Sequence, residues 1–170
     1  MVVWLASELM FFAGLFGAYF TLRGLNDPWP PDGVELETLT TSLATVVLLS
    51  SSGTMHLAVV AAQRDDRRSS IRWLGVTALM GAIFLCNLGF EYSQAEFGID
   101  DNSYGSIFFL MTGFHGLHVI GGLVFMGAVA AAIAGRSRAP THQTVEVCAY
   151  YWHFVDVVWV AMFATIYLLQ

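Results

Sequence analysis

The chain has 170 residues, of which 56% are hydrophobic and only 12% are charged, and its formal net charge is −6. Soluble domains are usually about 25% charged, so this composition excludes an ordinary water-soluble globule and indicates a membrane protein. The acidic balance and the lack of a basic cluster argue against nucleic acid as a partner, and the absence of lysine excludes a lysine Schiff base or nucleophile.

Five stretches of the chain are long and apolar enough to cross a membrane, for which roughly 20 residues are needed in a helix. In chain order the predicted spans are Val2–Leu22, Leu39–Ala62, Ile71–Phe90, Tyr104–Ala134 and Val145–Leu169. No repeat, linker or low-complexity tract separates them. The predicted fold class is therefore all-α, a polytopic bundle of five transmembrane helices that forms a single domain over residues 1–170.

The first span carries one carboxylate, Glu8, about two turns from its start. An ionised carboxylate at this depth costs a few kcal/mol, so we expect Glu8 to be protonated, hydrogen-bonded or next to a polar cavity. A proton-linked role, a lipid headgroup contact and a structural hydrogen bond to a neighbouring helix all stay open. Small residues such as Gly14 and Gly17 are expected to pack against helices of the same chain.

The second and third spans contain one histidine and one glutamate of interest. His56 is a candidate for a buried polar contact with another helix or subunit. Glu91 ends the third span, next to an acidic loop, and is expected at the membrane interface.

The fourth span places His115 and His118 three residues apart on one helix face. Haem ligation by two histidines usually needs facing helices rather than adjacent turns of one helix. The other spanning histidines, His56 and His153, are predicted at different depths. Hydrogen bonding between helices is therefore preferred to haem or metal ligation.

The fifth span contains Glu146, Tyr150 and His153 at positions i, i+4 and i+7, which form a stripe on one helix face. Asp156 lies beside that stripe. A histidine–aspartate pair with a glutamate could relay protons or orient a metal ligand. A satisfied polar seam that fixes the register of the helix is the preferred interpretation.

Arginine is concentrated in the second and fourth loops, whereas the first and third loops are acidic. The arginines of these two loops are Arg64, Arg67, Arg68, Arg72, Arg136 and Arg138. With five spans both loops lie on one side, so the positive-inside rule predicts a cytoplasmic N-terminus and an external C-terminus.

No known catalytic or cofactor motif occurs in the sequence: it has no nucleophile elbow, phosphate loop, HExxH motif or paired catalytic carboxylates. Cys86 and Cys148 are predicted near opposite faces of the bilayer, so no disulfide is expected. Two thiols without a CxxC pair provide no iron–sulfur or zinc ligand set. We therefore expect no catalytic residue, cofactor or metal on this chain, which suits a transporter or a subunit buried against larger partners.

Several motifs resemble those of the cytochrome c oxidase subunit III family, in the same order along the whole chain. They are Ser7–Gly14, Trp29–Pro31, Glu91–Tyr92, Tyr104–Ser106 with Gly113–Gly121, and Tyr150–Trp159. The resemblance implies a subunit without a redox centre in an aa-type oxidase of a bacterial plasma membrane. Its partners would be subunits I and II, which carry haem a and copper, together with phospholipids and a cytochrome bc complex in a supercomplex. It would bind phospholipid and support proton uptake and the stability of the complex.

The resemblance also assigns positions and shows two departures. Glu8 falls on the family's buried carboxylate, and five residues fall on its polar seam: His115, His118, Glu146, His153 and Asp156. The chain lacks the first two spans of seven-span mitochondrial forms, so the family's lipid cleft is expected to be absent, open or completed by another subunit. Leu88 replaces a glutamine that the family often has three residues before Glu91, which weakens any lipid-site assignment there.

Three alternatives remain. One is subunit III of a quinol oxidase or of a related nitric oxide reductase, although the intact runs around Glu8 and Asp156 favour the cytochrome c branch. The second is a small proton-coupled transporter with Glu8 as its coupling site, which the lack of a broken helix or repeat disfavours. The third is a haem-binding membrane anchor, which would be recognised by a haem spectrum of the isolated chain.

Overall fold

The computed structural model describes residues 2–31, 38–95, 97–135 and 141–169 of the chain. Within these ranges it forms five α-helices and a terminal π-helical turn: α1 (Val2–Leu25), α2 (Thr38–Gln63), α3 (Arg67–Gln94), α4 (Ser103–Ala134), α5 (Thr141–Phe163) and the turn Ala164–Leu168. Five described helices are long and apolar enough to cross a membrane. The predicted all-α class with five transmembrane helices is confirmed.

The starts of α3 and α4 are set by side-chain caps. Asp66 accepts hydrogen bonds from the Ser69 amide at 3.1 Å and from its hydroxyl at 2.6 Å, and Asn102 accepts one from the Gly105 amide at 2.6 Å. The two bonds from Ser69, of which the one from its hydroxyl has the larger effect, lower the pKa of Asp66. The cap of α3 therefore stays ionised at neutral pH. Because Asp66 satisfies the first turn, α3 starts at Arg67 and not at the predicted Ile71.

Helix α5 is the central element of the bundle. It packs against α2 and α4 and touches α1, while α3 joins α2 to α4. In the most apolar stretch of α5, 50% of the residues are buried within the chain, compared with 11% for α1. The first helix is therefore attached mainly through α4 and leaves most of its surface to the surroundings.

Two tryptophans of α5 fill the centre of this bundle. The Trp152 indole donates to the Ser51 hydroxyl at 2.8 Å, and the Trp159 indole donates to the Thr45 hydroxyl at 2.9 Å. A Cβ atom on Gly122 of α4 would lie 2.8 Å from the Trp152 ring. Gly122 of α4 thus allows close helix packing within the chain, the role expected for small residues of the spans.

The glycines of α1 do not follow that prediction. Gly14 and Gly17 are exposed, and a Cβ on either residue would have no described atom within 4 Å apart from its chain neighbours and the backbone of its own helix. The expectation that they pack within the chain is wrong. With Ala13 and Ala18, which are also exposed, they form what we call the small-residue face of α1.

The remaining points concern the two cysteines, one tyrosine and the charged loop residues. Cys86 is exposed and Cys148 is buried, and both are free. Tyr104 is buried against Trp29 and Phe108. Several loop charges used to predict orientation lie outside the described residues, namely Asp32, Glu35, Glu37, Glu96, Arg136 and Arg138.

Candidate functional site

The first polar contact inside the bundle joins α1 to α4. Glu8 Oε2 lies 3.0 Å from His118 Nε2, and His118 Nδ1 lies 2.7 Å from the Phe114 carbonyl oxygen. Because a carbonyl oxygen only accepts, Nδ1 carries a hydrogen. The contact between Glu8 Oε2 and His118 Nε2 then needs one proton, which is bound either to Glu8 or to His118 Nε2. Glu8 and His118 thus share a proton. Of the three interpretations of Glu8, the hydrogen bond to a neighbouring helix is the one that this contact represents.

Aromatic side chains surround this pair without enclosing it. The Phe12 ring lies 5.1 Å from the His118 ring, and the Tyr151 hydroxyl donates to the His118 carbonyl oxygen at 2.7 Å. Trp4 stacks on Tyr151 with 5.4 Å between ring centroids. The His118 and Glu8 side chains remain 15% and 22% exposed, respectively, so the surroundings of the helix bundle can reach them.

The second polar contact joins α2 to α5 through Ser52. The Ser52 hydroxyl donates to Asp156 Oδ2, and His153 Nδ1 lies 2.9 Å from the Ser52 hydroxyl oxygen. Since a hydroxyl has one hydrogen and it goes to Asp156, the His153 Nδ1–H donates to Ser52. The expected direct His153–Asp156 pair is therefore corrected: Ser52 lies between the two side chains. Sequence reasoning missed Ser52 because serine is common in transmembrane helices and only the packing of α2 on α5 selects it.

A groove of about 230 Å³ opens beside this contact, between α2 and α5. Its lining residues are His56, Val59, Gln63, Glu146, Ala149, Tyr150 and His153. The Gln63 amide donates to Glu146 Oε1 at 2.9 Å. The predicted stripe of Glu146, Tyr150 and His153 does lie together, and His56, expected at a different depth, lines the same groove. In the described part of the chain no three His, Cys, Asp or Glu side chains are arranged to hold a metal.

His115 is separated from both polar contacts. It is fully buried, and its ring lies 5.8 Å from that of Phe84 and 4.9 Å from that of Trp159. Neither ring nitrogen has a hydrogen-bond partner among the described residues. The predicted bond between helices is thus made by His118 and not by His115.

The third polar contact lies at the far end of α3 and involves Glu91, which was expected at the membrane interface. Glu91 is only 6% exposed and accepts a hydrogen bond from the Tyr167 hydroxyl at 2.7 Å. Nearby, the Tyr19 hydroxyl donates to the Thr165 carbonyl oxygen and accepts from the Trp29 indole, both at 3.1 Å. These bonds tie α1, α3 and the terminal turn. Tyr167 was not predicted, because an aromatic residue near a span end usually indicates the membrane interface.

Comparison with known proteins gives one consistent result. A family model described as cytochrome c oxidase subunit III matches residues 1–170. The chain is 42% identical over 171 residues to cytochrome c oxidase subunit 3 of Thermostichus vulcanus, covering 99% of this chain and 85% of that protein. It is 43% identical over 176 residues to the subunit of the same name from Corynebacterium diphtheriae (99% and 86%), and 41% identical over 175 residues to that of a Synechocystis species (99% and 73%).

Proposed function

Because the chain belongs to the cytochrome c oxidase subunit III family, we propose that it docks on the oxygen-reducing subunit I through the small-residue face of α1. Membership makes the chain a membrane-embedded subunit of a proton-translocating oxidase that associates with other oxidase subunits. The proposal concerns which surface of the chain makes this association and which subunit it contacts.

One observation carries this proposal: the small-residue face of α1 is unfilled. Gly14 and Gly17 have space around them that no described residue occupies, and Leu9 and Met10 beside them are 58% and 76% exposed. Small residues let helix backbones approach closely in a membrane, where helix association depends on such packing. A transmembrane helix of another subunit is the occupant that uses this face.

The Glu8–His118 pair supports a second part of the proposal, in which the subunit binds phospholipid and assists proton uptake. The pair shares a proton and stays partly exposed on the side of α1 and α4, so it can meet a lipid headgroup or a polar group of subunit I. In this scheme haem a and copper belong to subunits I and II, as the family resemblance implies.

The remaining parts of the proposal concern setting and topology. We place the single five-helix domain in a bacterial plasma membrane, with its N-terminus in the cytoplasm, as the arginine-rich loops predict. Subunit II receives electrons from cytochrome c in this scheme, and a cytochrome bc complex is a further partner in a supercomplex.

Purification of a tagged chain in mild detergent tests the proposal. Gly14→Leu or Gly17→Leu should release the chain from subunits I and II, because the added side chain fills the space that a partner helix needs. Gly127→Leu is the matched control, since Gly127 of α4 is also exposed and a Cβ there would likewise meet no described atom beyond its own helix and chain neighbours.

Subunit mass spectrometry and a reduced-minus-oxidised spectrum provide the readout. The parent and Gly127→Leu should carry two larger subunits and haem a features. Full retention of both subunits by Gly14→Leu and Gly17→Leu would move the interface away from α1. A b- or o-type haem spectrum would assign the chain to the quinol branch.

A further inference from the structure

The contact between Ser52, His153 and Asp156 can be arranged with its hydrogen bonds running in either direction. As described above, His153 Nδ1–H donates to Ser52 Oγ and the Ser52 hydrogen goes to Asp156 Oδ2. In the reverse arrangement a protonated Asp156 donates to Ser52, and Ser52 donates to His153 Nδ1. The same three heavy atoms serve both arrangements, because a hydroxyl both donates and accepts.

The two arrangements differ by one proton that enters at His153. A proton bound at Nε2 makes the ring an imidazolium, the Nδ1 proton passes to Ser52, and the former hydroxyl proton of Ser52 passes to Asp156. The ring ends neutral with its hydrogen on Nε2, the serine again has one hydrogen, and the carboxylate becomes a neutral acid. One proton has moved from the groove to Asp156, and no other bond is made or broken.

The burial of the three residues fits this direction of transfer. His153 is partly exposed and lines the groove between α2 and α5, whereas Asp156 is only 3% exposed. Asp156 Oδ1 is buried and has no hydrogen-bond partner among the described residues. Within the described part of the chain, Ser52 therefore provides the hydrogen-bonded route from Asp156 to a group that the surroundings can reach.

We propose that Ser52 relays protons between this groove and Asp156, so that Asp156 acts as a proton store within the membrane-spanning part of the subunit. This inference rests on the proposed function, because the oxidase is the consumer of the stored protons. The titratable groups around the relay are His56 on α2, Glu146 and Tyr150 on α5, and His115, which packs on Trp159 one turn further along α5.

Infrared spectroscopy of the purified oxidase, transferred from H₂O to D₂O, tests the relay. The carboxylic acid band of Asp156 is identified by its loss in Asp156→Asn, and its exchange rate is then followed. Ser52→Ala should slow this exchange on the order of 100-fold, the contribution typical of one positioned proton-transfer group. Ser52→Thr keeps the hydroxyl and should exchange like the parent.

Ser50→Ala is the matched control, because the exposed Ser50 hydroxyl of the same helix bonds, among the described residues, only to the Val46 carbonyl oxygen. Exchange at the parent rate in Ser52→Ala, or the absence of any acid band that Asp156→Asn removes across the pH range in which the complex stays assembled, would overturn the relay. Mass spectrometry of the parent sample separates the two proposals: a parent chain that purifies without subunits I and II would count against the proposed docking, and not against the relay.

Discussion

At the scale of single residues, the proton shared by Glu8 and His118 decides what each substitution does. His118 Nδ1–H is held by the Phe114 carbonyl oxygen, so a neutral His118 accepts at Nε2. Glu8→Gln can donate its amide hydrogen there, and we expect this variant to assemble like the parent. Glu8→Leu leaves Nε2 without a donor and should destabilise the packing of α1 on α4 by about 1 kcal/mol.

The effect on α1 can be measured as the detergent concentration at which half of the chain is lost from the purified oxidase, which we call the midpoint. Glu8→Leu should lower this midpoint while Glu8→Gln leaves it unchanged. If Glu8→Gln alone abolished assembly, a charged Glu8 would be indispensable and the shared-proton description would fail.

The same scale shows why the partners of these residues could not be predicted. Glu8, His118, His153 and Asp156 stand out in the sequence because ionisable residues are rare in membrane spans. Ser52 does not stand out, and its role depends on how α2 is rotated against α5. Sequence reasoning therefore identified the ionisable groups and missed the hydroxyl that connects two of them.

At the scale of helices, the five spans could be predicted because the apolar length of a segment is a local property. The predicted and observed limits of the fourth helix agree closely, Tyr104–Ala134 against Ser103–Ala134. Helix α3 differs more, because the cap at Asp66 adds the polar residues from Arg67 onward to its first turn. Which glycines face a neighbour was not predictable, since the spacing of small residues in α1 and α4 is similar.

Gly122 and Gly127 of α4 give opposite predictions for the same substitution. Replacing glycine by alanine within a helix gains about 1 kcal/mol from backbone entropy. At Gly122 the new Cβ would lie 2.8 Å from Trp152, and displacing this buried ring should cost about 1–3 kcal/mol. Gly122→Ala should therefore lower the thermal unfolding midpoint of the purified complex, and Gly127→Ala should keep or raise it.

The opposite signs make this comparison a test of the bundle itself. Both variants add one methyl group to the same helix, so a difference in helix propensity cannot explain a difference in stability. Equal midpoints for Gly122→Ala and Gly127→Ala would mean that α4 does not pack on Trp152 as described.

At the scale of the whole molecule, the bundle is held by polar contacts at three levels: Glu8 with His118, Ser52 with His153 and Asp156, and Glu91 with Tyr167. Each contact joins helices that are distant in sequence. In four of these helices, α1 to α4, most residues of the most apolar stretch are not buried within the chain. Helices in lipid lack a hydrophobic force that holds them together. The polar contacts therefore determine how the helices are arranged, while partner subunits and lipid cover the remaining apolar surface.

The Glu91–Tyr167 contact provides the whole-molecule prediction, because it ties the C-terminal turn to α3 across 76 residues of sequence. Tyr167→Phe removes the hydroxyl that donates to a buried carboxylate and should cost about 1–3 kcal/mol. The turn also holds α1, through Tyr19 and the Thr165 carbonyl oxygen, so α1 should loosen with it. Hydrogen exchange of the purified complex should then rise in the terminal turn and in the second half of α1. Tyr150→Phe, at a side chain that is 63% exposed, should leave both regions protected. Increased exchange confined to the last few residues in Tyr167→Phe would show that the two ends of the chain are not coupled through this contact.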